Sequence, residues 1–235
     1  MLLCHQHKFI FLKTQKTAGT SVEIALSRVM TKDDIVTPLS RRWPWPSEDE
    51  KTRQSLGHQG PTNCLAPLQN YTPEELWRLI SKGKLKKEFY NHMPAIEAKA
   101  KIPEMLWNNY TKISIERNPF DRAISTYYWR TRRSKPSVDI NHYIQTCPAI
   151  HLSNWNVYTI EDKIAANFML SYENLSNDLK RLSETLNISP IIELPRERTK
   201  GQFRQDKRPW HEVLDQQSID RIREVCEKEI TAFHY

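Results

Sequence analysis

In "QKTAGTS", Gln15 to Ser21, one cation and several hydroxyls gather around a single glycine. Lys16 supplies positive charge, Thr17, Thr20 and Ser21 supply O–H donors, and Ala18 and Gly19 complete the loop. Such a set suits a phosphate or a sulfate, above all where a helix N-terminus adds unpaired backbone N–H groups and a positive dipole end. A second set lies in "ERNPFDRAIS", where Arg117, Arg122 and Ser125 join basic side chains to a hydroxyl and suit a second phosphate. Eight histidines offer bases for proton transfer, because an unperturbed imidazole titrates near neutral pH.

The elements that must position these residues are legible from hydropathy. Phe9 to Leu12 is a short continuous apolar run, as in a strand buried on both faces of a parallel sheet. From Val22 the period changes: Val22, Ala25, Leu26, Val29 and Met30 share one helical face, and Thr20 with Glu23 reads as a capping box. Lys13 to Gly19 is then a loop joining strand to helix N-terminus. Ile113 to Ile115 reads as another strand, followed by a helix capped by Asn118, with Pro119 at its first position. Phe120, Ala123, Ile124, Tyr127 and Tyr128 form its buried stripe. Asn118, Arg122 and Ser125 fall on a different face, beyond the carboxyl end of the strand, where open α/β sheets bind ligands. The expectation is an α/β fold: a single domain over residues 1–235, with a short parallel sheet and helices on both faces.

The Walker pattern G-x-x-x-x-G-K-[ST] does not fit, since the lysine precedes Gly19 and no glycine stands before it at the required spacing. "QKTAGTS" instead resembles the 5′-phosphosulfate loop of sulfotransferases that use 3′-phosphoadenosine 5′-phosphosulfate (PAPS), with Gln15 where that family often has proline. R-N-P-x-D-R-x-x-S, matched from Arg117 to Ser125, resembles the 3′-phosphate signature of carbohydrate sulfotransferases. The resemblance implies a P-loop-like sulfotransferase fold, with Lys16, Thr17, Ala18, Gly19, Thr20 and Ser21 around the 5′-phosphosulfate and Arg117 and Ser125 on the 3′-phosphate. More weakly, "FMLSYENLSNDLKRLSETLNI" resembles the family's strand, Y-E-x-L turn and helix, with Leu175, Leu179, Leu182 and Leu186 as a stripe. "RTKGQFR" resembles a late loop closing over the nucleotide, which brings in Lys200, Gly201 and Arg204. His92, in "EFYNHMPAI", follows a short strand expected at Phe89–Tyr90. Its distance from Arg117 resembles that of the catalytic histidine in uronyl 2-O-sulfotransferases; His58 is the rival base.

Composition bounds the rest. The chain has 35 basic and 28 acidic residues, a formal charge of +7 that suits an anionic donor and an acidic acceptor. Its apolar runs are too short to span a bilayer, and no signal peptide opens it, so the expected location is cytoplasmic, of bacterial or viral type, unless an N-terminal anchor has been trimmed. Cys4, Cys64, Cys147 and Cys226 are scattered and form no zinc or disulfide framework. Residues 37–70 lose periodicity and gather proline and tryptophan. They are read as an irregular acceptor-side insertion in which Trp43 and Trp45, beside Arg41 and Arg42, offer a sugar-stacking wall.

Sulfuryl transfer needs in-line attack by the acceptor hydroxyl, a base for its proton and positive charge at the departing oxygen. Lys16 is expected at that oxygen and His92 or His58 as the base, with no metal required. The acceptor expected is a hydroxyl on a glycan, not nucleic acid. Two other readings remain: a P-loop-type kinase, which would need Mg²⁺ and a γ-phosphate site, and a basic nucleic-acid-binding protein, which leaves the Lys16 and Arg117 motifs unexplained.

Overall fold

The computed structural model describes residues 1–40, 47–133, 138–195 and 204–235. Strands β1 (Leu2–Cys4) and β2 (Phe9–Phe11) are followed by helix α1 (Gly19–Leu26) and strand β3 (Ile35–Val36). Helices α2 (Glu48–Ser55), α3 (Pro73–Lys82), α4 (Ala95–Lys101) and α5 (Glu104–Asn109) lead to β4 (Thr111–Glu116). After it come α6 (Pro119–Thr131), α7 (Ile140–Thr146), α8 (Trp155–Tyr158) and a two-stranded hairpin, β5 (Thr159–Ile160) with β6 (Lys163–Ile164). Strand β7 (Phe168–Ser171) and helices α9 (Leu175–Thr185), α10 (Trp210–Val213), α11 (Gln216–Val225) and α12 (Glu227–Phe233) follow, and short 3-10 turns occur at Ser27–Val29, Leu68–Asn70, Ala149–His151 and Tyr172–Asn174.

The main sheet runs β3-β1-β2-β4-β7. β2, β4 and β7 are parallel, and β1 is antiparallel to both its neighbours, so the expected parallel sheet carries an antiparallel edge. Period-two alternation sends Leu2, Cys4, Phe9, Phe11, Ile113 and Ile115 to one face, against Val22 and Leu26 of α1 and the leucine stripe of α9. Leu3, Ile10 and Leu12 face the other way, against α4 and α5. Both faces are covered, which is why β2 reads as an unbroken apolar run.

Because β2, β4 and β7 are parallel, the segments leaving them emerge at one end of the sheet. These are the loop after Phe11, Arg117–Asn118 and Tyr172–Asn174. Asn118 caps α6 as expected, its Oδ1 accepting from the N–H groups of Phe120 (3.0 Å) and Asp121 (3.3 Å).

Two local expectations fail for the same reason. The segment 37–70 is not irregular throughout, since it contains α2, capped by the Ser47 side chain. That helix shows no apolar period because its buried residues are Glu50 and Arg53. The Thr20–Glu23 capping box is absent: α1 begins after a left-handed Ala18 (φ 58°) with no side-chain cap. Glu23 turns inward, pairing with Lys13 at 2.6 Å and Arg53 at 3.7 Å. Burial pushes its carboxyl up, but Lys13, the Met1 amine and Arg53 outweigh that and hold it at about 2. In both places buried charge pairs, not apolar periodicity, decide the packing.

Candidate functional site

The loop between β2 and α1 is held from three directions. Lys16 (φ 61°) and Ala18 (φ 58°) adopt left-handed backbone, which curls the chain back before α1. The first intrahelical bond runs from Val22 N–H to the Ala18 carbonyl, so the N–H groups of Gly19, Thr20 and Ser21 have no intrahelical acceptor. Gly19 is needed for close packing: a Cβ there would lie 3.0 Å from Lys13 Cγ and 3.2 Å from the Thr14 carbonyl oxygen.

Thr14 Oγ1 donates to the Ile115 carbonyl at 2.6 Å, so its 2.7 Å bond with Thr17 Oγ1 must be donated by Thr17. The Thr17 hydroxyl, expected to face an anion, is thereby spent inside the protein; only its backbone remains for a ligand. Thr20 and Ser21 are half-buried on the first turn of α1. Lys16 Nζ lies 4.9 Å from the centre of the Trp129 ring, which also carries the Arg132 guanidinium at 3.7 Å.

A residue without any sequence signal clamps the other side of the loop. Asn154, 1% exposed, accepts from Gln15 N–H at 2.9 Å and donates to the Gln15 carbonyl at 3.0 Å. Its side-chain amide thus pairs with Gln15 as a neighbouring strand would. Asn154 N–H in turn donates to Glu229 Oε1 at 2.9 Å, which ties the loop to α12.

Arg117 joins the two anion-favouring segments. It donates to the Lys16 carbonyl at 3.1 Å and stacks on Tyr172, its guanidinium carbon 4.0 Å from the ring centre. No carboxylate among the described residues lies within ion-pair distance of it, and its buried Nε has no hydrogen-bond partner. Burial holds its pKa below the usual arginine value. Ser125 stands seven residues after Asn118 on α6, on the same helical face, half-buried and with no side-chain hydrogen bond among the described residues. Arg117 and Ser125 therefore keep donors for an anion.

Arg122 does not share that role. It is 1% exposed and bonds Glu116, Glu229 (3.1 Å) and the Leu152 carbonyl (2.7 Å). Expected on the ligand side, it is a structural cation between two buried carboxylates, one of which, Glu116, also accepts from Tyr158 at 2.6 Å. Asp121 instead pairs with Arg204 at 2.8 Å, which brings the last residue of the "RTKGQFR" segment to α6. Lys200 and Gly201 lie outside the described residues, as do Arg41, Arg42, Trp43 and Trp45.

The two histidines separate clearly. His92 follows no strand at Phe89–Tyr90; it occupies a turn with φ 61°. Its Nδ1 is 3.0 Å from the Lys13 carbonyl, an acceptor only, so Nδ1 carries the proton and Nε2 keeps its lone pair. Burial, then Lys13, pushes its pKa down to about 3. His58 bonds the Ile24 carbonyl at 2.8 Å. It therefore sits at the C-terminal half of α1, about 7 Å along the helix from Gly19, and is not brought to the loop.

The four cysteines are buried and free. Among the described residues no cluster of three or more His, Cys, Asp or Glu side chains is placed to hold a metal ion. No helix among them is long and apolar enough to cross a membrane. No curated protein matches the chain significantly. A family model described as "Sulfotransferase family" matches residues 1–235, over the fold and loops just described, and the chain belongs to that family.

Proposed function

We propose that this transferase moves a sulfuryl group from PAPS to a hydroxyl of a carbohydrate acceptor. The observation that carries the reading is Arg117, a buried guanidinium with no carboxylate among the described residues within ion-pair distance, bonded to the backbone of Lys16. A buried cation left uncompensated is costly, and an anion beside it relieves the cost. In this reading Arg117 and Ser125 hold the 3′-phosphate. The α1 N-terminus, with the backbone of Thr17, Ala18 and Gly19 and the hydroxyls of Thr20 and Ser21, holds the 5′-phosphosulfate. Lys200 and Gly201 are the further nucleotide contacts in this reading.

The acceptor oxygen attacks sulfur in line; its bond to sulfur forms as the bond from sulfur to the bridging phosphate oxygen breaks. The hydroxyl proton passes to Nε2 of His92, and 3′,5′-adenosine bisphosphate departs. Lys16 meets the charge that grows on the bridging oxygen, and to do so it must leave the face of Trp129. Positioning and electrostatics supply most of the rate, as in phosphoryl transfer. An anionic donor next to His92 raises its pKa from the low value held by burial and Lys13, which makes the ring a better base with donor bound.

Calorimetric titration with 3′,5′-adenosine bisphosphate, and separately with ATP, each in EDTA and in Mg²⁺, tests the reading. Tight metal-independent binding of the bisphosphate is expected. Preference for ATP with Mg²⁺, or no nucleotide binding, overturns it.

A further inference from the structure

Strands β4 and β7 pair in parallel as far as Glu116 opposite Ser171. Beyond that pair the two segments stay in step through side chains. The Tyr172 ring faces Arg117, its centre 4.0 Å from the guanidinium carbon, and Glu173 Oε1 accepts from Asn118 N–H at 2.9 Å. The second Glu173 oxygen accepts from Ser171 Oγ at 2.9 Å, which restrains the carboxylate. One dipeptide, Tyr172–Glu173, thus grips another, Arg117–Asn118, residue for residue.

The backbone donors of this junction are all accounted for. Arg117 N–H donates to Glu116 Oε1 at 2.8 Å, Asn118 N–H to Glu173, and Pro119 has no N–H. Phe120 and Asp121 N–H donate to Asn118 Oδ1, and Arg122 N–H donates to the Asn118 carbonyl at 2.9 Å. No backbone N–H from Arg117 to Arg122 is left for an anion, so an anion at this end of β4 is read by side chains. Arg117 precedes the turn into α6 and Ser125 follows it, and their separation depends on the direction of that turn. The chain turns at Asn118 (φ −41°, ψ 118°). Of the bonds just described, the one to Glu173 alone comes from outside residues 116–122. It ties the turn to the end of β7, where the others tie it only to itself.

We propose that Glu173 is a positioning residue for recognition of the 3′-phosphate: through Asn118 N–H it sets the angle at which α6 leaves β4, and so the spacing at which Arg117 and Ser125 meet the phosphate. The inference rests on the sulfotransferase reading, in which that phosphate belongs to the donor. Two properties of Glu173 act in opposite directions. Its reach places the acceptor oxygen on Asn118, whereas its negative charge stands near a phosphate and opposes it.

The test is calorimetric titration of the whole protein with 3′,5′-adenosine bisphosphate and with 5′-AMP, which differ only in the 3′-phosphate. The ratio of the two affinities is the readout. Glu173→Gln keeps an oxygen acceptor at the same reach and is expected to hold the wild-type ratio or raise it. Glu173→Asp keeps the charge but is one methylene shorter, and its ratio is expected to fall about tenfold, through weaker binding of the bisphosphate. A loosened fold that acted on the whole nucleotide would lower both affinities alike, so the ratio separates positioning from a general structural role. Circular dichroism and denaturation midpoints of both variants check that the fold is kept. A ratio in Glu173→Asp within twofold of wild type overturns the inference, and so does a tenfold loss in Glu173→Gln. Either result leaves the sulfotransferase reading intact as long as the wild-type protein prefers the bisphosphate. Failure of the wild-type protein to bind the bisphosphate overturns that reading and this inference with it.

Discussion

Arg117 and Arg122 stand five residues apart in one motif, and both are more than nine-tenths buried, yet they solve the problem of a buried cation in opposite ways. Arg122 is neutralised from within by Glu116 and Glu229 and bonds the Leu152 carbonyl with Nε as well as a terminal nitrogen. Arg117 has a carbonyl, an aromatic face and an unpartnered Nε, and no carboxylate among the described residues lies within ion-pair distance of it. The first arrangement is complete without a ligand. The second leaves positive potential at the end of the sheet, beside a helix N-terminus, where a phosphate would complete it.

The largest expected effect breaks the completed half. Arg122→Met leaves Glu116 and Glu229 buried without their cation and is expected to cost about 3–5 kcal/mol in chemical denaturation. A loss under about 1 kcal/mol would mean that the network is not the scaffold described. Arg117→Met, by contrast, should change stability little, because no buried carboxylate is orphaned. Its effect belongs in binding: affinity for 3′,5′-adenosine bisphosphate should fall by about 1.5–3 kcal/mol, the worth of hydrogen bonds to a charged group, with 5′-AMP nearly unaffected. Equal losses for both nucleotides would remove Arg117 from the 3′-phosphate.

Asn154→Ala tests the strut between the two halves. It deletes both bonds to Gln15 and should cost about 1–2 kcal/mol of stability, and it should weaken nucleotide binding by loosening the loop. Nucleotide affinity identical to wild type would show that the clamp serves the fold alone.

The last expected effect is a pH slope. The His92 pKa is about 3 in the fold against an ordinary 6.5, so the unfolded chain binds more protons between those values and stability is lost as pH falls below 6.5. Glu23, held at about 2 against 4.5, loses its contribution only below 4.5. Between pH 6.5 and 4.5 the slope therefore reports on His92 rather than Glu23. His92→Asn should flatten the denaturation midpoint in that window, and an unchanged slope there would mean that His92 is not buried beside Lys13 as described.

Much of the site was legible because it is built from local chain. The strand, loop and helix around Lys16 and Gly19 are contiguous, as are the strand end, cap and helix from Arg117 to Ser125, and each announces itself through hydropathy and Asn-Pro capping. What was misread is nonlocal. Thr17 and Thr20 carry the residue types of donors and caps. Whether those groups face outward depends on Thr14 and Ile115 for the first and on a helix start at left-handed Ala18 for the second. Glu23 lies three residues after Thr20, as in a capping box, but Lys13 and Arg53 offer it stronger partners inside. Asn154 and Glu229 had no pattern to find, because their function is to meet residues more than seventy positions away.

By itself, then, the order of residues determined the secondary structure of the two motifs and the parallel core that carries them. These follow from backbone capping, side-chain period and local charge, which act within a few residues. Tertiary structure alone decided which arginine is paired with carboxylates in the core and which keeps an unpartnered Nε, which histidine reaches the end of β2, and which face of α3 meets water. Those outcomes depend on burial and on partners brought together from distant segments, and a buried charge takes its meaning from what surrounds it in space rather than from its neighbours along the chain.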